Sequence, residues 1–437
     1  MNSKLDFSSL LIRLVERQIT SWITVLVHTL AYVGLMVGLF FVYHAVTGRA
    51  LPFPQPDEHL WDVVHYHFIV EKGYGADLTR TAFYPLFPLL WKATGLDLLG
   101  ISILNGLVFI TGFVFLMKEL RPTAAQLWLI LSLPFTFFYF VPYSEALFFL
   151  LTSLIIIGFR REKIAWIAIG LFLSSMTRPT SQVYLPALWL TAYCFRQQSL
   201  FQWKNVVLFS FSALAGQLSV MTLYHFTNGN AFAFFEAQKA WNHHLQPFKL
   251  PLTSWSNSMV VTDVHYFYIG FAVVLIVMAY FYHRLRLSDA QIGRYPYLER
   301  LSAQPVITFS LLYLAGITGL VMLFQGGDVH SFGRYMNCSP FFMVFVLYVV
   351  PFFRLNGRQY LYFAFGMMVS GLLTMHIYHH IRATINFLFL TGYWLLIATT
   401  RSRIRWVEVV SYSIVIIIHL FFGVKFAAMF FRREWVE

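Results

Sequence analysis

Residues 22–46 read WITVLVHTLAYVGLMVGLFFVYHAV, with no Asp, Glu, Lys or Arg among them. A bilayer core is crossed by about 20 apolar residues in a helix, and this run is long enough. It exceeds a secretory signal core and has no clear cleavage site, so a span is expected. Comparable runs follow at 98–117, 124–141, 143–159, 164–177, 181–195, 205–225, 264–283, 306–324, 337–353, 359–376, 384–399 and 407–430. The pairs around Pro142 and Pro179 fit either two spans or one kinked or re-entrant element each. The expected fold is an all-α polytopic membrane protein of about 11–13 transmembrane helices, one domain over 1–437. Composition agrees: 58% of residues are apolar and 11% charged, where a soluble domain carries roughly 25% charge.

The net charge of +12 is not read as a nucleic-acid signal. Basic residues gather on the cytoplasmic side of membrane proteins, beside anionic lipid. With the N-terminus inside, each cytoplasmic connection is basic, as in Arg160–Arg161–Lys163 and Arg401–Arg403–Arg405. Asp57, Asp62, Glu71, Asp97, Glu145, Glu236, Asp263 and Asp328 then fall on the outer side. Cys194 and Cys338 land on opposite faces, so no disulfide is expected between them. No internal repeat of the transporter kind is visible.

The outer segments carry the unusual residues. The segment 58–72 has helix-start signals in Pro56 and Asp57. On a wheel, Leu60, Trp61, Val64 and Phe68 share one face; Asp62, His65, Tyr66 and Ile69 share the other. Such an amphipathic helix suits an interfacial anchor lying on the membrane, or a polar face offering a carboxylate beside an imidazole and a phenol. In PYSE (142–145), Glu145 sits at a membrane boundary, where a carboxylate serves a cavity or a partner, or lies in interfacial water. Arg178 in TRPT (177–180), Arg334 in FGRY (332–335) and Arg382 in HIYHHIR (376–382) are candidate phosphate contacts, since a guanidinium fork matches phosphate. Snorkelling to lipid headgroups is the plainer reading of Arg178 or Arg334 taken alone. His376, His379 and His380 have a helical spacing that suits a metal or a phosphate, and Asp328 is a candidate second acid.

An outward acid beside a membrane, with arginines and an aromatic floor, suits group transfer from a lipid-linked phosphate. The acceptor hydroxyl needs a base, for which Asp62 is the candidate. The departing phosphate needs positive charge, for which Arg178 or Arg334 is the candidate. Tyr66, Phe83, Tyr84 and Trp241 can stack on sugar or lipid.

These segments resemble the PIG-V-type mannosyltransferases, the GPI mannosyltransferase 2 family and its bacterial relatives. The signature is carried by Trp61, Asp62, His65, Tyr66, Gly73, Tyr74, Ala82, Phe83, Tyr84, Pro85, Phe87 and Pro88. VPYSEALF (141–148), TRPTS (177–181) and GNAFAFFEAQKAW (229–241) follow in family order. Leu60 stands where an Arg often precedes the family's Trp-Asp, and Thr180 and Ser181 where Asn and Gly are common. The resemblance implies a GT-C bundle with an outer catalytic loop at about 47–97 and Asp62 as general base. It implies inverting transfer of a sugar, most often mannose, from a polyprenyl- or dolichyl-phosphate donor to a glycan or glycolipid acceptor. Location would be the bacterial cytoplasmic membrane with the site outside, or the endoplasmic reticulum lumen in a eukaryote. Catalytic roles fall to Asp62 and Glu145, donor phosphate binding to Arg178, Arg334 and Arg382. Sugar and acceptor contacts fall to His65, Tyr66, Tyr84, Trp241 and Asp328. With no D-x-D on the outer face, neither a metal nor another cofactor is expected. The competing readings are a lipid-linked sugar transporter or flippase, a membrane O-acyltransferase using His376 or His379, and a non-catalytic assembly subunit.

Overall fold

The computed structural model describes residues 18–48, 60–254, 259–286, 299, 301, 303–350, 357–375 and 405–434. Among them the chain is helical, and the only β contacts are two isolated bridges, Gln18 with Thr123 and Thr253 with Asp328. Among the described residues, six helices are long and apolar enough to cross a bilayer. They are α1 (Trp22–Thr47), α4 (Leu98–Leu120), α9 (Trp203–Asn228), α11 (Val260–Arg286), α12 (Pro305–Phe324) and the 409–431 part of α16 (Arg405–Phe431). The chain is an integral, multi-pass membrane protein. Between α1 and α4 lie two short helices, α2 (Asp62–Lys72) and α3 (Leu86–Thr94). The remaining ones are α5 (Ala124–Leu131), α6 (Glu145–Arg161), α7 (Ile164–Thr177), α8 (Ser181–Cys194), α10 (Ala233–Ala240), α13 (Phe332–Asn337), α14 (Pro340–Tyr348) and α15 (Gly357–Met375). The expected span at 384–399 lies outside the described residues.

Two expected spans are broken. The run 124–141 is helical only to Leu131, then turns through Pro134 and a 3-10 segment, Thr136–Phe140, before α6. Proline cannot donate to a helix ladder, and backbone freed at membrane depth is tolerated only inside protein. Phe135, Phe138, Tyr139 and Tyr143 are indeed fully buried. The run 337–353 has its break at the start: α13 ends at its first residue, Asn337, and a new helix, α14, starts at Pro340, where Ser339 Oγ accepts from Phe341 N–H at 3.2 Å. Pro at a first helical position gives up only an N–H that would be orphaned anyway.

Small residues let the central helices close. Gly158 and Gly170 bring α6 and α7 together, and Gly216 brings α9 against α7, where an added Cβ would run into the Phe172 carbonyl oxygen. Membrane helices associate by such close packing, since lipid offers no hydrophobic gain between them. Gly216→Leu is therefore expected to lower stability by about 1–3 kcal/mol, read as a drop in thermal unfolding temperature in detergent. An unchanged transition would mean that α7 and α9 separate at no cost.

The two ends of the bundle hold different chemistry. At one end Arg161 pairs with Glu119, Arg160 Nη1 donates to Gln304 Oε1 at 3.2 Å, and Tyr348 OH donates to the Leu120 carbonyl at 2.8 Å. At the other, Asp62, Tyr143, Glu145, Arg178 and Arg334 converge. The segments sorted together by charge thus meet in space.

The helix expected at 58–72 is found at Asp62–Lys72. It packs differently from a surface anchor, burying Val63, Tyr66 and Ile69 while Trp61, Val64 and Phe68 stay half-buried. The reason is Tyr66, whose ring meets Phe83, Phe87 and Tyr143 at 5.0–6.3 Å. An amphipathic aromatic with a satisfied hydroxyl is worth more in this protein contact than at a wet face.

Candidate active site

Asp62 opens α2. Trp61 before it has a φ of 40° and a ψ of −122°, a positive-φ conformation that non-glycine residues adopt at a cost and that clusters at functional positions. The Asp62 N–H donates to the Tyr143 hydroxyl at 3.1 Å. Tyr143 is anchored in turn, because Asn105 Nδ2 on α4 donates to the carbonyls of Val141 (2.6 Å) and Tyr143 (2.9 Å). One buried amide thus ties the broken segment to a continuous span. Asn105→Ala leaves both carbonyls short of a donor, at an expected cost of about 1–3 kcal/mol. The check is thermal unfolding in lipid against Asn105→Asp, which keeps the shape but not the donor pair and should fare no better. Wild-type stability in the alanine variant would show that the two carbonyls find other donors.

Glu145 starts α6, where the helix N-terminus favours a carboxylate. Arg178 ends α7 and pairs with Glu145 Oε1, its Nε 3.4 Å from Ser144 Oγ. Ser144 Oγ also accepts from the Tyr66 hydroxyl at 2.9 Å. Arg334 comes from α13. Its Nη1 donates to Asp62 Oδ2 at 2.8 Å and its Nε lies 3.6 Å from Glu145 Oε1. The rings of Phe138, Tyr143 and Tyr335 surround its guanidinium at 5.4–5.5 Å. Burial works against its charge, but Asp62 and Glu145 outweigh that and raise its pKa, so Arg334 stays protonated. The turn before Arg334 is held by Asp263, which accepts from Gly333 N–H at 3.0 Å and Ser254 Oγ at 2.8 Å.

The four charges form an alternating row: Asp62, Arg334, Glu145, Arg178. Its middle is sealed, with side chains 1% exposed at Glu145 and 7% at Arg334. Its ends are open, at 19% for Asp62 and 18% for Arg178. The Asp62 Oδ1 atom makes no hydrogen bond to a described residue. A ligand can therefore reach one carboxylate and one guanidinium while the inner pair holds both in place.

The other expected residues fall into four groups. His65, on Asp62's own helix, stands against Trp241: its ring stacks on Phe83 at 4.5 Å and meets Trp241 edge-on at 5.3 Å. Tyr84 turns away, buried with Tyr74, Tyr224 and Phe234, its hydroxyl donating to Gln217 Oε1 at 2.9 Å. Asp328 pairs with His330 Nδ1 at 3.1 Å, in a loop bridged to Thr253. The His330 ring stacks on His243, which burial and the neighbouring imidazole push down to about 4. Arg382 and the 376–380 histidines lie outside the described residues. Residues that matter but were not named as site candidates from the sequence include Asn105, Asp263 and Arg80. For the first two a signal existed, since each is a polar side chain within or at the start of an apolar run, where it is costly unless it has work to do. No protein-family model, curated protein or solved structure matches this chain.

Proposed function

We propose that the protein is an inverting glycosyltransferase of the GT-C kind, moving a sugar, in first place mannose, from a polyprenyl- or dolichyl-phosphate to an acceptor hydroxyl. The observation that supports this reading is the charge row with its two open ends. Asp62 accepts the proton of the acceptor hydroxyl as that oxygen attacks the anomeric carbon of the sugar. The bond from that carbon to the phosphate oxygen breaks, and its electron pair leaves with the lipid phosphate. Arg178, with Arg334 behind it, stabilises the charge that develops there. Attack and departure on opposite sides invert the anomeric centre, with no covalent enzyme intermediate. Glu145 is sealed from substrate and acts as a positioning residue for both arginines. The acceptor is a glycan or glycolipid, and the site faces outward from the bacterial cytoplasmic membrane, or into the lumen in a eukaryote.

The test uses the purified full chain in lipid, radiolabelled polyprenyl-phosphate mannose, and a membrane extract as acceptor pool. Label should move to an acceptor, and continue to do so in excess chelator. Movement of intact labelled donor across the bilayer without transfer would replace this reading by the flippase.

A further inference from the structure

Arg80, on the 3-10 turn Leu78–Ala82, points its Nη1 at the Nδ1 of His65. A guanidinium has donors and no acceptor, so the ring nitrogen it meets must carry a lone pair. The fork is aimed by Asp77, whose Oδ2 accepts from Arg80 Nε at 3.0 Å. Asp77 is itself fixed, since its Oδ1 accepts from Thr79 N–H at 2.9 Å and Thr79 Oγ1 at 2.7 Å. Arg80 also lies over the Phe68 ring at 4.7 Å. At the other side of the imidazole, His65 Nε2 makes no hydrogen bond to a described residue, and it is not sealed in. Phe83 and Trp241 wall the ring, and Asp62 is one helical turn back.

We propose that Arg80, held by Asp77, fixes His65 as a neutral imidazole with its proton on Nε2, and that this N–H donates to a hydroxyl of the sugar being transferred beside Asp62. The second half rests on the glycosyltransferase reading; the first does not. Arg80 and Asp77 are positioning residues, and His65 is a substrate-binding donor that has no free lone pair to serve as a base. The charged groups around the ring are Asp62 and Asp77, which favour its protonation, and Arg80, which opposes it. Burial outweighs them and pushes His65 down to about 4, in keeping with the geometry.

The experiment is nitrogen NMR on the full chain labelled at histidine in lipid nanodiscs, with His65→Gln assigning the signal. Wild type should show only the Nε2–H tautomer from pH 5 to 8. Arg80→Gln should mix the tautomers and raise the titration above the wild-type value, short of the ordinary 6.5 because the burial remains, while Arg80→Lys, which keeps a cationic donor, should keep the wild-type pattern. In the transfer assay, His65→Gln should raise KM for polyprenyl-phosphate mannose about tenfold, one lost hydrogen bond's worth, with a smaller change in kcat. An Nδ1–H signal, a wild-type titration near 6.5, or indifference to Arg80→Gln overturns the tautomer assignment. An unchanged KM overturns the sugar contact. An Nε2–H spectrum in a protein that transfers no sugar would sink the glycosyltransferase reading, and the sugar contact with it, while the Arg80–His65 arrangement stands.

Discussion

Asp62→Asn is expected to cut sugar transfer by roughly a hundred- to ten-thousand-fold, the range set by loss of a general base. The exchange is nearly isosteric. The amide oxygen can still accept from Arg334 Nη1, which now spans 2.8 Å to the carboxylate. The backbone anchor from Asp62 N–H to the Tyr143 hydroxyl is untouched. What disappears is the ability to take a proton, together with one negative charge from a row that otherwise balances. The folded state should survive, because Arg334 keeps Glu145 as a partner. Transfer by both proteins, with matching unfolding curves, would remove Asp62 from the mechanism and direct attention to Asp328, the candidate second acid, whose carboxylate is also partly exposed.

The largest effect on stability is expected at Glu145. Its carboxylate is 1% exposed and faces two guanidinium groups, Arg178 and Arg334. Glu145→Leu leaves Arg178 without the carboxylate it pairs with, and takes from Arg334 one of the two carboxylates that face it. Removing one member of a buried pair costs about 3–5 kcal/mol, because the remaining charge is held out of water without compensation. Thermal unfolding in lipid measures this. Adding Arg178→Met to Glu145→Leu should recover part of the loss, since the charge left stranded is then gone, and the two changes should be clearly non-additive. Strict additivity would mean that Glu145 and Arg178 do not act as a pair. Transfer in Glu145→Leu should fall as well, through the displaced arginines and not through a lost proton acceptor, so its pH profile should keep the wild-type shape.

The apolar runs alone determined that this chain is a helical membrane protein. Trp22–Thr47, Leu98–Leu120 and Pro305–Phe324 match the runs at 22–46, 98–117 and 306–324 within a few residues. Length and hydropathy are local quantities, and a bilayer turns them directly into helices. The position of Asp62 on a short helix, and the grouping of basic against acidic loops, were legible for the same local reason. Tertiary structure decided the rest. Asp62 and Arg334 are separated by 272 positions, and no periodicity links them. Their pairing exists because the broken helix around Pro134 and the split before Pro340 bring backbone and side chains into the bundle interior. A hydropathy window reads both segments as spans, since the residues that fill a buried turn are as apolar as those that face lipid. Likewise Tyr66 and Tyr84 look equivalent in an aromatic run. One hydroxyl reaches Ser144 beside the charge row and the other reaches Gln217 in a separate cluster, a difference set by which helix each ring packs against.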